Sequence, residues 1–102
     1  MDVMELAPRA DEAAELLGAM ANPKRLMILC HLLAQELTVG ELSERIGLAQ
    51  SPLSQHLARL RAMKLVTTRR DGQFIRYRLA SDEVGRVLTT LHGIYCAPDD
   101  GD

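Results

Sequence analysis

The residues with the most distinctive chemistry in this chain are two cysteines, Cys30 and Cys96. A thiolate attacks the sulfur of a disulfide or persulfide, and a second thiol can then capture the product. The two cysteines are 66 positions apart (96 minus 30), unlike the short CxxC spacing of a zinc ribbon. The N-terminus is acidic, and no apolar run approaches the ~20 residues that span a bilayer. We therefore expect a cytoplasmic protein without membrane contact, whose cysteines are thiols at rest.

The three histidines do not form a recognisable catalytic arrangement. They fall on three separate predicted helices, and on an ideal helix His31 projects about 100° away from Cys30. The sequence also lacks a glycine-rich phosphate loop, an HExxH motif and a nucleophile elbow. We therefore expect a binding protein that is not an enzyme and carries no cofactor or metal.

The cysteines must be positioned by a small, mainly helical domain. With 102 residues, 47% of them hydrophobic and 25% charged, the chain suits a single domain, residues 1–102, with a modest core. Residue periodicity predicts five helices, covering residues 9–21, 23–35, 38–46, a fourth from 51 and a fifth from 81, with a β-hairpin over 65–79 and a short frayed tail at 97–102.

Capping and turn signals support these boundaries. Four helix starts are predicted, at Asn22-Pro23, at the capping box Thr38–Glu41, at Ser51-Pro52 and at Ser81. Asp71-Gly72 predicts a type I′ turn in the hairpin. In the second strand, Ile75, Tyr77 and Leu79 are expected to pack.

The second and fifth helices carry the cysteines. In the second helix, Leu26, Leu29, Cys30 and Leu33 follow the spacing of a buried face. Cys30 could therefore be a small core residue, because unpaired cysteine is among the most buried residue types. Cys96 lies beyond the apolar stripe of the fifth helix, which consists of Val84, Val87, Leu88, Leu91 and Tyr95.

The charge of the chain is unevenly distributed although its net value is only −2. Residues 1–20 carry one Arg against five acids, and residues 81–102 carry one Arg against five acids. Residues 51–80 carry seven basic residues against one acid, a local net charge of +6. Such a concentration of positive charge favours contact with phosphates.

The third helix, a four-residue turn, the fourth helix and the basic hairpin together predict a winged helix-turn-helix. The fourth helix can enter the major groove of double-stranded DNA, where short polar side chains reach base edges and phosphates. The candidate base-contacting residues are Gln50, Ser51, Ser54 and Gln55. The candidate phosphate contacts are Arg59, Lys64, Arg69, Arg70 and Arg76, and His56 is either a phosphate contact or a packing residue.

These segments resemble the ArsR family of small winged-helix repressors. The resemblance covers nearly the whole chain and rests on MANPKRLMIL, on ELTVGELSERIGLAQSPLSQHLARLRAMKLV and on RRDGQFIRYRLA. It implies a homodimer formed through the first and fifth helices, which binds a pseudo-palindromic operator and leaves it when an inducer arrives. A winged helix that only mediates protein assembly is the alternative, and the +6 segment argues against it.

The positions of metal ligands in other members of that family indicate which inducers this chain could bind. The arsenic and cadmium sensors carry cysteines where this chain has Thr38 and Gly40, and neither residue offers a thiolate. The zinc sensors need a further His or Glu three residues after His92, where Tyr95 stands, so zinc is a weak alternative.

The pair Cys30 and Cys96 resembles the sulfide-responsive, or persulfide-sensing, subgroup of the family. That resemblance implies that reactive sulfur species link the two cysteines inside one subunit, by a disulfide or a longer sulfur chain. A response to general oxidation is the alternative. Because operator half-sites are spaced by about one DNA turn, ~34 Å, a small shift of the recognition helices would weaken binding.

Overall fold

A computed structural model describes residues 1–96, and the tail predicted for residues 97–102 lies outside them. The helices are α1 (Val3–Leu6), α2 (Ala10–Met20), α3 (Pro23–Ala34), α4 (Val39–Ile46), α5 (Gln50–Ala62) and α6 (Asp82–Tyr95), with a 3-10 turn at Ala7–Arg9. The strands are β1 (Leu37–Thr38), β2 (Val66–Asp71) and β3 (Phe74–Leu79). The five predicted helices are α2 to α6, and α1 and β1 are additional. The predicted fold, mainly helical with a hairpin wing, is confirmed.

Three of the four predicted helix starts are confirmed. The Asn22 side chain accepts hydrogen bonds from the backbone N–H groups of Lys24 and Arg25, at 2.9 and 3.1 Å. Thr38 and Glu41 form the reciprocal capping box, with distances of 2.9 and 3.1 Å. Ser81 accepts from the N–H of Val84 at 3.2 Å. Each side chain satisfies backbone donors that a helix start leaves without partners.

The predicted start of the recognition helix, α5, was wrong. The helix begins at Gln50, its N-cap is Ala49, and Ser51 lies inside the first turn. Proline is tolerated at position 52 because the first N–H groups of a helix have no partner within it. The preceding turn is held by the Ser43 hydroxyl, which donates to the carbonyl oxygen of Leu48 at 2.6 Å.

Helix α5 ends at Ala62, with Met63 as its C-cap residue. Lys64 adopts a left-handed conformation with φ of 63°. Its N–H donates to the Arg61 carbonyl oxygen at 2.9 Å, and the N–H of Leu65 donates to that of Leu60 at 3.0 Å. This pair of bonds terminates the helix as a Schellman motif.

The three strands form an antiparallel sheet in the order β1-β3-β2. Strand β3 pairs Phe74 with Asp71 and Ile75 with Arg70, so the hairpin turn is Gly72-Gln73. The predicted turn was therefore shifted by one residue. Gly72 has φ of 62° and Gln73 does not share this sign, which fits a type II′ turn with glycine first. Ile75, expected to pack, is 43% exposed at the wing tip.

The core lies between α3, the helix-turn-helix and the first half of α6. Its fully buried side chains are Ile28, Leu29, Leu37, Leu42, Leu53, Leu57, Leu60, Val66 and Val84. Burying one such side chain stabilises a fold by roughly 1.5–3 kcal/mol. Within residues 1–96, no helix is long and apolar enough to cross a membrane.

The buried face of α3 is not the one predicted. It consists of Arg25, Ile28, Leu29 and Leu32, whereas Cys30 is exposed and Leu33 is 46% exposed. The interpretation of Cys30 as a core residue is therefore wrong. The face is displaced because Arg25 occupies a buried position: its Nε donates to the Ala19 carbonyl oxygen at 2.6 Å and its Nη2 to that of Gly18 at 3.4 Å. A cation at the last carbonyls of α2 also complements the helix dipole.

Candidate DNA-binding surface and cysteine pair

Helix α5 presents a polar face to solvent. Its buried residues, Leu53, Leu57 and Leu60, pack into the core. Ser51 and Gln55 project roughly opposite to them on an ideal helix, and both are exposed. Ser54 and Arg59 are exposed as well and flank this pair, and Gln50, also exposed, is the first residue of the helix. The helix therefore has a face of short polar side chains that fits the edges of bases in a major groove.

His56 lies at the side of α5 and is half-buried. Burial lowers its pKa, and the charges of Arg25 and Arg59 lower it further. The imidazole is therefore held in its neutral form at neutral pH. A partly buried imidazole whose pKa is lowered matches the packing alternative better than a cationic phosphate contact.

The arginines of the wing differ in how they are held. Arg69 donates its Nε–H to the Glu36 carboxylate at 2.7 Å, and Arg70 donates to the Gly72 carbonyl oxygen at 3.2 Å. Both side chains are exposed. Exposed ion pairs typically contribute less than about 1 kcal/mol, so exchange of Glu36 for a phosphate is energetically accessible to Arg69.

Arg76 differs from the other two because two carboxylates neutralise it. Its Nε donates to Asp71 Oδ2 at 2.7 Å, and its Nη1 lies 3.5 Å from Glu41 Oε1. The hydrogen bond from Arg76 lowers the pKa of Asp71, whereas the pKa of Glu41 is lowered first by the backbone N–H of Thr38. This geometry gives Arg76 a structural role, joining β3 to α4, and the phosphate contact predicted for it stays a prediction.

Lys64 lies at the opposite end of α5 from the polar face. At 1.5 Å per residue it is roughly 20 Å along the axis from Ser51. It lines a cleft of about 490 Å³ together with Arg9, Glu12, Glu15 and Glu83. The structure therefore places Lys64 at the far end of α5 from the candidate base contacts Gln50, Ser51, Ser54 and Gln55.

Both cysteines lie on the surface as free thiols. Cys30 is on the exposed side of α3, and Cys96 is the C-cap residue of α6. Surrounding protein atoms raise the pKa of the Cys30 thiol, and the neighbouring Cys96 raises it further. The residue spacing predicted Cys30 on a buried face of α3, so the accessibility of the pair emerges only from the structure.

The two helices that carry the cysteines approach closely at Gly85. A Cβ atom at that position would lie 3.4 Å from Leu33 Cδ1 and 3.8 Å from Leu79 Cδ2. The first half of α6 is anchored by Val84 and Leu88, whereas Ile94 and Tyr95 near its end are 64% and 80% exposed. In residues 1–96, no three His, Cys, Asp or Glu side chains come close enough to hold a metal ion.

Comparison with known proteins agrees with this architecture. The sequence model for bacterial regulatory proteins of the arsR family matches residues 22–68. The chain is 51% identical over 96 residues to the transcriptional activator HlyU of Vibrio cholerae, an alignment that spans 94% of this chain and 89% of that protein.

Solved structures that superpose on this chain also belong to transcriptional regulators. The transcriptional repressor BigR from Xylella fastidiosa superposes with a TM-score of 0.90 at 40% identity, over 96% of this chain and all of that one. The homodimeric winged helix-turn-helix DNA-binding domain of Mb0332 from Mycobacterium bovis, a possible ArsR-family regulator, superposes with a TM-score of 0.75 at 31% identity, over 86% and 82%. These relatives are regulators, which agrees with the expectation that the chain is not an enzyme.

Proposed function

This chain belongs to the ArsR family of bacterial transcriptional regulators, and on that premise we propose that it is a homodimeric cytoplasmic repressor released from operator DNA by reactive sulfur species. The observation that carries the DNA-binding part is the exposed polar face of α5 beside the basic wing. The observation that carries the sensing part is the exposure of both Cys30 and Cys96 on adjacent helices.

The proposed DNA contacts follow from this arrangement. Ser51 and Gln55 face the floor of the major groove, with Gln50 and Ser54 beside them, and the amide of Gln55 suits a bidentate contact to adenine. Arg59, Arg69 and Arg70 contact phosphates on either side. Lys64 is omitted because it lies at the far end of α5 from the candidate base contacts. Arg76 is omitted because its guanidinium is paired with Asp71 and Glu41.

Dimerisation is proposed through α2 and α6. Exposed apolar side chains are concentrated there and on α1, namely Val3, Met4, Leu6, Leu17, Ile94 and Tyr95. A chain of this size gains stability by burying such residues in a partner. The homodimeric domain of Mb0332 supports a homodimer for this chain.

The proposed sensing step is sulfur exchange. One cysteine thiolate attacks the outer sulfur of an organic persulfide, R–S–SH, giving Cys–S–SH and releasing the thiol R–SH. The second cysteine thiolate then attacks the protein-bound sulfur of that persulfide and displaces hydrosulfide, leaving a disulfide between Cys30 and Cys96. If both cysteines first become persulfides, one attacks the other with loss of hydrosulfide, and the product is a trisulfide.

The link would act on DNA binding through α6. Its first half is fixed against α3 and the wing at Gly85, and its last turns project to the surface beside the proposed dimer contacts. Tying Cys96 to Cys30 would reorient those turns. In a dimer whose recognition helices must match half-sites one DNA turn apart, this would weaken binding.

One experiment tests both parts. Duplexes enriched from a random pool by the reduced protein are titrated at several salt concentrations, before and after treatment with an organic persulfide, and intact masses are recorded. We expect salt-dependent binding that is lost as the mass changes by an internal disulfide or trisulfide. Failure to enrich any duplex would refute the DNA-binding part, and unchanged affinity after treatment would refute the sensing part.

A further inference from the structure

A cleft of about 510 Å³ opens between the end of α3, the end of β3 and the start of α6. This volume falls within the ~300–1,000 Å³ typical of small-molecule sites. Leucines supply the apolar lining of this α3–α6 cleft, and charged side chains of both signs supply its polar lining. These residues are Leu32, Leu33 and Leu79, and Glu36, Arg78 and Asp82.

Two opposite charges in this lining are available to a ligand. Arg78 and Asp82 are both exposed, and neither takes part in an ion pair among residues 1–96. Glu36, by contrast, is paired with Arg69 at 2.7 Å. A guanidinium binds carboxylates and a carboxylate accepts hydrogen bonds from an ammonium group. The two free charges therefore match a small molecule that carries both a carboxylate and an ammonium group.

The α3–α6 cleft is next to the candidate sensor on α3. Leu33, which lines the cleft, follows Cys30 by three positions, so the two side chains are neighbours on the helix surface with Cβ atoms roughly 5–6 Å apart. On α6, Gly85 lines the cleft and Cys96 follows it by 11 positions (96 minus 85), which is about three full turns. The cleft and both thiols therefore lie along the same side of the α3 and α6 pair.

We infer that the α3–α6 cleft binds the carrier of the sulfur donor, a low-molecular-weight persulfide built on an α-amino acid, with its carboxylate at Arg78 and its ammonium group at Asp82. This inference rests on the proposed sulfur exchange and names the class of donor. The leucines contact the carbon chain of the carrier, and its sulfur end extends along α3 to Cys30.

The reaction at Cys30 is then a transfer from a bound donor. The Cys30 thiolate attacks the outer sulfur of R–S–SH, the sulfur–sulfur bond of the donor breaks, and the carrier leaves as its thiolate, R–S⁻. Cys30 becomes Cys–S–SH. Binding the carrier beforehand raises the rate because the two sulfurs no longer have to meet by diffusion.

The charges of the lining favour a zwitterion over other sulfur donors. Glu36 and Asp82 repel a donor that has only negative charge, such as an inorganic polysulfide. A donor without charge leaves Arg78 and Asp82 without partners. The cleft therefore discriminates by the carrier, whereas the thiol itself discriminates only by the reactivity of the sulfur.

The test uses the full chain with Cys96→Ser, which leaves Cys30 as the single thiol and isolates the first transfer. The donors are the persulfides of cysteine and glutathione, which both carry an α-amino-carboxylate, and that of 2-mercaptoethanol, which is uncharged. Intact mass at short times gives the initial rate of sulfur addition over a range of donor concentrations. Each rate is measured again with Arg78→Gln, with Asp82→Asn and with the control Arg61→Gln, because Arg61 is exposed but lies outside the cleft.

We expect the rate to saturate with at least one amino-acid donor and to rise linearly with the uncharged one. Arg78→Gln and Asp82→Asn should each lower the rate with that amino-acid donor at low concentration by about fivefold, the scale of one exposed ion pair. The donor with the larger loss identifies the carrier. S-methylcysteine, which carries the same charges but no reactive sulfur, should slow the reaction of the parent with cysteine persulfide and have no effect on Arg78→Gln.

The outcomes separate this inference from the proposed function. If Cys30 gains sulfur but Arg78→Gln and Asp82→Asn match Arg61→Gln, or lower the rates with all three donors equally, the cleft does not bind the carrier and sensing by sulfur exchange stands. If Cys30 gains no sulfur from any donor, the proposed sensing fails and the inference fails with it. Thermal unfolding verifies that each variant is folded.

Discussion

The guanidinium of Arg76 in the wing lies 3.5 Å from the carboxylate of Glu41 at the first turn of α4. Glu41 is also the acceptor in the capping box that begins the helix-turn-helix. One carboxylate thus serves helix initiation and the orientation of the wing. The cap needs only an oxygen that accepts a hydrogen bond, whereas the pairing with Arg76 needs the negative charge. Substitutions of Glu41 can therefore separate the two roles.

Glu41→Gln keeps an oxygen that can accept from the Thr38 N–H but removes the charge facing Arg76. We expect it to leave the free energy of unfolding almost unchanged, because an exposed ion pair contributes little. Glu41→Ala removes the cap as well and should lower the free energy of unfolding further. Urea unfolding of both variants measures the difference, and equal losses would contradict the separate contribution of the capping box.

Gln55→Ala should weaken operator binding by ~1 to 3 kcal/mol and relax the base preference at one position, because a base contact carries sequence information. Gln35→Ala is the matched control, since Gln35 is also an exposed glutamine but lies outside α5. Fluorescence titration against single-base variants of the enriched duplex provides the measurement. Equal behaviour of the two variants would refute the placement of α5 in the major groove.

Arg69→Ala and Arg70→Ala should act differently from Gln55→Ala. A phosphate contact contributes about one unit to the slope of log affinity against log salt, so each variant should reduce that slope by about 1. Base preference in the major groove should be retained. An unchanged slope in both variants would show that the wing arginines do not contact phosphates.

Local signals predicted much of the fold, and tertiary contacts account for the errors. Asn22, Thr38 and Ser81 act on backbone groups two or three residues away, so their caps can be recognised in the sequence. Strand β1 could not be, because two residues become a strand only by pairing with β3. The start of α5 depends on Ser43, whose hydroxyl fixes the preceding turn from the helix before it.

The misplacement of Cys30 has a single cause. The predicted and observed faces of α3 share Leu29 and differ by one position, about 100° around the helix. An arginine is an improbable core residue by type, and the sequence gives no sign that Arg25 binds the last carbonyls of α2. Arg25 lies on the same helix as Cys30, and its contact with α2 goes with a rotation of α3 that leaves Cys30 exposed.

His56 should make stability depend on pH. Its pKa in the folded protein lies below the unfolded value of about 6.5, first because of burial and then because of Arg25 and Arg59. The unfolded chain therefore binds more protons, and this contribution is present above pH ~6.5 and is lost as the pH falls through the folded pKa. His56→Gln should flatten the pH dependence of urea unfolding between about pH 7.5 and 5 relative to the parent. An unaltered profile would contradict this account.

Leu17 on α2 is 53% exposed and provides a test of the proposed dimer. Leu17→Glu would bury a charge at the α2 and α6 contact, so we expect monomers at micromolar concentration and weaker operator binding. Met27→Glu is the control, because Met27 is 46% exposed on α3. Sedimentation velocity distinguishes the species. A parent that is monomeric while binding its operator would contradict the assembly.

Cys30→Ser and Cys96→Ser should each give a repressor that binds DNA and ignores persulfide, because both thiols are exposed and the link needs both. Peroxide should be a poorer inducer than persulfide. A disulfide requires Cα atoms ~4.4 to 6.8 Å apart, whereas an added sulfur atom lets the bridge span a longer distance with less strain, and peroxide supplies no sulfur. Intact-mass analysis with DNA titration checks both expectations. Single variants that respond to persulfide as the parent does, or treated parent protein without an internal sulfur bridge, would rule out this mechanism of release.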